Sequence, residues 1–81
     1  MRVVREIQHP HCKITVYFWN NRYLVKLEEG MLEQTFKIDQ WDIVNDEEIL
    51  QIVDDKFIEQ ALNRFREMSQ SMHDALLRGA Q

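Results

Sequence analysis

The chain has 81 residues, 44% of them hydrophobic and 30% charged, and a formal net charge of −4. That composition belongs to one ordinary globular domain spanning 1–81, and two Gly and one Pro exclude a disordered or collagen-like chain. A single cysteine excludes an internal disulfide framework. With no apolar run of signal-peptide or membrane-span length, the expected setting is cytoplasmic, without a membrane partner.

Residues 2–8 are compatible with an edge strand, and His9-Pro10-His11-Cys12 with the connection that follows, since proline cannot donate in a ladder. Residues 13–19 and 22–28 alternate in hydrophobicity about Asn20-Asn21, a pair that tolerates the positive φ angles of a type I′ turn. This turn sets Ile14, Val16 and Phe18 against Leu27, Val25 and Tyr23 on one apolar face. Lys13, Thr15, Tyr17 and Trp19 then lie on the other face, against Glu28, Lys26, Leu24 and Arg22. Taking Glu29-Gly30 as the next turn pairs Glu28 with Met31 and gives a third strand over 31–38. Its Leu32, Phe36 and Ile38 continue the apolar face, and Gln34 interrupts it.

Beyond Ile38 the apolar period lengthens to that of a helix. Asn45 is placed to cap a helix over 46–53, with Glu48 reaching back and Val44 against Ile49 as a hydrophobic staple. At about 100° per residue, Ile58, Leu62, Phe65, Met72 and Leu76 share one side, while Ile49, Ile52 and Val53 fall opposite. A break at Asp54 resolves the conflict, and the second helix runs over 55–78 with Gly79 as its C′ residue. The resulting fold is α+β in two layers. An antiparallel meander of three to four strands is followed by a short and a long helix, the long one across the apolar sheet face. The core is expected to hold Ile14, Val16, Phe18, Tyr23, Val25, Leu27, Leu32, Phe36, Ile38, Ile58, Leu62 and Phe65.

A helix of about 24 residues spans about 36 Å, whereas strands of about seven residues span about 23 Å. The far end of the helix, with Met68, Met72, Ala75, Leu76 and Leu77, therefore outruns the sheet and needs a cover. The leading expectation is a non-catalytic domain that self-associates as a dimer, or binds a protein partner, through those five residues. The alternative is a nucleic-acid or nucleotide-binding surface made by Tyr17, Trp19, Arg22, Leu24 and Lys26, aromatic and basic side chains on the second sheet face. Glu28 and Glu33 share that face, and residues 39–81 carry a net −6 against +2 for residues 1–38. Both disfavour a nucleic acid as partner.

Other chemistry finds little support in the residues. His9, His11 and Cys12 lack the second ligand cluster of a structural zinc site, and a polar turn explains them as well. The carboxylates of residues 39–55 miss the spacing of a calcium loop, and most have a capping role. No glycine-rich phosphate loop or hydrolase triad motif is present, so no metal, cofactor or catalytic residue is expected.

Overall fold

Four strands form one antiparallel sheet in the order β1-β2-β3-β4: β1 (Arg2–Ile7), β2 (Lys13–Trp19), β3 (Arg22–Glu29) and β4 (Leu32–Asp39). A 3₁₀ turn, Gln40–Asp42, leads to the short helix α1 (Glu48–Ile52) and the long helix α2 (Asp55–Gly79). This computed structural model describes residues 1–80. The fold is the two-layer α+β arrangement, with the helices on one sheet face.

Asn20 and Asn21 take φ angles of 54° and 63°, as a type I′ turn requires. The β2–β3 register that follows runs from Trp19 opposite Arg22 to Lys13 opposite Glu28, which is the expected pairing. The β3–β4 register differs from expectation by two residues. Gly30-Met31, not Glu29-Gly30, is the loop, so Glu29 pairs with Leu32 and Val25 with Phe36. The glycine dictates this: Gly30 is at φ 58° in the first loop position, where a type II′ turn places its one positive φ. Because the shift is even, every side chain keeps its face.

The strand β1 bulges between Val3 and Arg5. The extra residue, Val4, packs against the core, while Arg5, opposite Val16, also faces the helices. Re-aiming side chains in this way is a usual consequence of a bulge.

Ile14, Val16, Tyr23, Val25, Leu27, Ile58 and Phe65 are buried as expected, with Cys12, Ile43, Ile49, Val53 and Ala61 added. Phe18, Leu32, Phe36, Ile38 and Leu62 pack at the margin, partly buried. The edge ring Phe36 meets Phe57 at 5.1 Å, and Phe18 meets Tyr23 at 5.0 Å, both edge-on. Gln34 joins the two layers. Its Nε2 donates to the Ala61 carbonyl at 2.8 Å, and Arg64 Nε donates to its Oε1 at 2.9 Å. A polar residue on the apolar face thus acquires a partner on each side of its amide, which removes the penalty for burying it.

The short helix is shorter than expected: α1 begins at Glu48, and residues 46–47 form a turn. Asn45 Oδ1 does accept from Glu48 N–H (3.1 Å), but Glu48 returns its carboxylate to Val44 N–H (2.7 Å). Val44 is exposed, so the staple with Ile49 does not form. Asp54, extended at φ −95°, caps α2 by accepting from Phe57 N–H at 2.9 Å. Gly79 is the last helical residue, not a left-handed C′ residue, because Ala80 continues in the right-handed region and donates to Leu76.

Three polar contacts tie the β4–α1 connection to the sheet. Tyr23 Oη donates to Asp46 Oδ1 at 2.7 Å. Arg2 lies 3.5 Å from the other oxygen of Asp46, and Arg5 3.2 Å from Glu47. The hydrogen bond to Asp46, then burial, raises the Tyr23 pKa above its ordinary 10.0. Folded Tyr23 holds its proton more tightly than unfolded, so this contribution is complete below pH 10.0 and is lost as pH rises through the folded pKa. Tyr23→Phe is expected to lower stability by about 1–2 kcal/mol at neutral pH and to flatten the alkaline loss. Urea unfolding of both proteins at neutral and alkaline pH measures the two effects; an unchanged midpoint in the variant would mean the contact contributes nothing.

Candidate functional site

Helix α2 rises about 1.5 Å per residue, so its 25 residues span about 37 Å, against about 26 Å for the eight of β4. The molecule is correspondingly long, 51 × 26 × 18 Å. Its first half is buried at Ile58, Ala61 and Phe65. Further along, Met68 and Ala75 are half-buried, and Met72, Leu76 and Leu77 are 55%, 65% and 54% exposed.

These side chains do not stand alone. The β3–β4 loop lies beside the helix, and a groove between them is lined by Met31, Leu32, Ser69, Met72, His73 and Leu76. On the other flank, Leu32, Met68, Ser71, Met72 and Ala75 line a second groove. Leu32 and Met72 border both, which makes them the centre of one apolar surface. Leu77 lines neither groove and projects from the helix flank.

Met31, fully exposed, and Leu32 are the members of this surface that the helical period alone could not reveal. The signal for them is the glycine. Once Gly30 occupies the first position of a two-residue loop, Met31 must occupy the tip.

The charged residues at the edges of the two grooves, Glu29 and Glu67, are both acidic. Residues 66–79 carry Arg66 and Arg78 against Glu67 and Asp74. Methionine's unbranched thioether lets such a surface adapt to what covers it.

The second sheet face does gather Tyr17, Trp19, Arg22, Leu24 and Lys26, as adjacent positions of β2 and β3. Tyr17 and Leu24 are half-buried there, and Trp19 is 53% exposed. Lys26 is engaged: it lies 3.4 Å from Glu33, and that hydrogen-bonding contact, then the charges of Glu28 and Glu33, raises its pKa. The pair forms diagonally, because the shifted register puts Thr35 opposite Lys26 and Glu33 opposite Glu28. Arg22 faces Asp39 across the ladder. The cation–π contacts of the described residues are Arg2 over Phe18 and Arg64 over Phe36; Trp19 and Arg22, though paired across the ladder, make none. By register the face carries four basic residues (Lys13, Arg22, Lys26, Lys37) and four acidic ones (Glu6, Glu28, Glu33, Asp39), giving no net attraction for a polyanion.

The histidine–cysteine turn folds on itself. His11 N–H donates to His9 Nδ1 at 3.1 Å, and Cys12 Sγ sits 4.0 Å from the same nitrogen. Burial, and secondly the charge of Glu29, raise the Cys12 pKa above 9.0, which keeps the thiol protonated at neutral pH. That is the reverse of what a nucleophilic thiolate needs. Among the described residues no group of three or more His, Cys, Asp or Glu is arranged to hold a metal ion, and no helix is long and apolar enough to cross a membrane.

Alkylation of Cys12 by iodoacetamide at neutral pH is expected to be slower than that of a free thiol and to reach the free-thiol rate in denaturant. A fast native rate would show instead an accessible, activated sulfur. No family model, curated protein or solved structure matches the chain.

Proposed function

We propose that the protein is a non-catalytic interaction domain that pairs with a second copy of itself through the C-terminal half of α2 and the β3–β4 loop. The observation that carries this reading is the continuous apolar surface of Met31, Leu32, Met68, Met72, Ala75 and Leu76, which the chain's own elements leave open. Exposed apolar surface of this kind, rimmed by polar side chains, marks association sites in soluble proteins.

A second copy suits the surface for two reasons. The exposed half of the helix has equal numbers of acidic and basic residues, so a copy brings no net charge, although the register below sets Arg66 level with Arg78. An antiparallel helix pair centred on Met72 also sets Met68 of each copy level with Leu76 of the other. Such a pairing has two-fold symmetry, the commonest symmetry of soluble oligomers. The absence of catalysis in this reading rests on the sequence, which has no glycine-rich phosphate loop or hydrolase triad motif.

Light scattering of the purified protein should give a dimer mass at high concentration. The double variant Met72→Glu, Leu76→Glu should give a monomer with the wild-type circular dichroism, melting below the wild-type dimer but like wild type diluted to monomer, since both side chains are exposed in the free chain. A wild-type mass of one chain at every concentration would sink the proposal. A variant that stays dimeric would move the interface elsewhere.

A further inference from the structure

The connection between β4 and α1 displays a side chain that folding does not require. Ile43 is buried in the core, yet Trp41 and Val44 on either side of it are 84% and 87% exposed. An exposed tryptophan leaves a large apolar area in water, area that dominates the energetics of cores and interfaces when buried.

The backbone that carries Trp41 is nonetheless fixed. Gln40 N–H donates to the Asn21 carbonyl at 3.2 Å, Trp41 N–H to Asp39 Oδ1 at 3.0 Å, and Ile43 N–H to the Gln40 carbonyl at 3.3 Å. The indole thus projects from a turn anchored to the β2–β3 hairpin on one side and to the core on the other. A partner seated on it has little backbone left to order, which favours affinity.

The connecting segment itself carries charge of one sign. Residues 39–55 include seven acidic side chains and no Lys or Arg. Arg2 and Arg5 approach Asp46 and Glu47 from β1. Asp42, next to Trp41, is exposed and makes no side-chain hydrogen bond or ion pair within the described residues.

We infer that Trp41, Asp42 and Val44 form a docking surface for a basic, partly apolar peptide segment of another protein. A Lys or Arg of that segment lies on the Trp41 indole, the best cation–π acceptor among side chains, with the Asp42 carboxylate beside it and an apolar neighbour against Val44. The same negative charge repels nucleic acid and anionic lipid headgroups. A second copy of this chain is a poor occupant, because its one alternating basic stretch, Arg64-Phe65-Arg66, lies within α2 with Phe65 buried.

The test uses Trp19→Phe, which leaves Trp41 as the one indole, titrated with a short peptide alternating Arg and Leu and with its Glu and Leu counterpart. A saturable change in Trp41 fluorescence with the basic peptide alone, weakened by added salt, is expected. Fluorescence anisotropy of the labelled basic peptide should report roughly tenfold weaker binding to Trp41→Ala and a smaller loss for Asp42→Asn, with both variants melting as the wild type does.

Equal binding by Trp41→Ala, an equal response to the acidic peptide, or no saturable response overturns the inference. So does a Trp41 shift on concentrating the protein without peptide, which would give the surface to a second copy. The Met72→Glu, Leu76→Glu variant should bind the peptide like wild type, so this surface and the helix surface stand or fall separately.

Discussion

The parity set by one turn governs everything on both faces of the sheet. Asn20 and Asn21 at positive φ close a two-residue loop, and from it the pleat assigns Ile14, Val16, Val25 and Leu27 to the helix side. A slip of one residue in β3 would turn Val25 and Leu27 into solvent and bring Lys26 and Glu28 into the core. At roughly 1.5–3 kcal/mol for burying each large aliphatic side chain, no such slip competes. The β3–β4 loop chooses a register two residues from the one its sequence first suggests, and nothing on either face changes sides. Parity is strongly constrained by burial; the placement within a parity is decided by finer turn geometry, here the φ angle of Gly30.

The layer above the sheet is held differently at its two ends. Helix α2 is seated by apolar side chains, Ile58, Ala61 and Phe65, and located by Gln34, whose amide is used in both directions by Ala61 and Arg64. The β4–α1 connection buries less and relies on Ile43 and Ile49 together with Asp46 and Glu47 reaching Tyr23, Arg2 and Arg5. The two ion pairs are exposed and contribute at most about 1 kcal/mol each. The Tyr23–Asp46 bond, whose donor residue is buried, is the stronger tie. The bulge at Val4 matters to this arrangement, because it brings Arg5 to the helix side of an edge strand without exposing Val4.

The two surfaces left open differ in chemistry. The end of α2 with the β3–β4 loop is apolar and methionine-rich, with Glu29 and Glu67 at its edges. The turn at Trp41 is rigid, acidic and centred on one large aromatic side chain. They are built from separate segments, residues 31–32 with 68–76 and residues 41–44, so the two proposed roles do not compete for the same side chains.

The alternation of residues 13–38 and the change of period after Ile38 were enough to determine the sheet, its faces, the break at Asp54 and the excess length of the long helix. Each depends on side chains close in sequence, where a period of two or 3.6 can be read directly. Tertiary structure alone decided three things. Gln34 looked like a defect in an apolar face until Ala61 and Arg64, 27 and 30 residues away, supplied its partners. Met31 and Leu32 joined the helix surface because a loop and a helix distant in sequence ended side by side. Trp41 was equally consistent with core or surface, since an apolar residue in a non-periodic connection has no pattern to place it. Its exposure follows from the turn that buries Ile43, and only the folded chain fixes that turn.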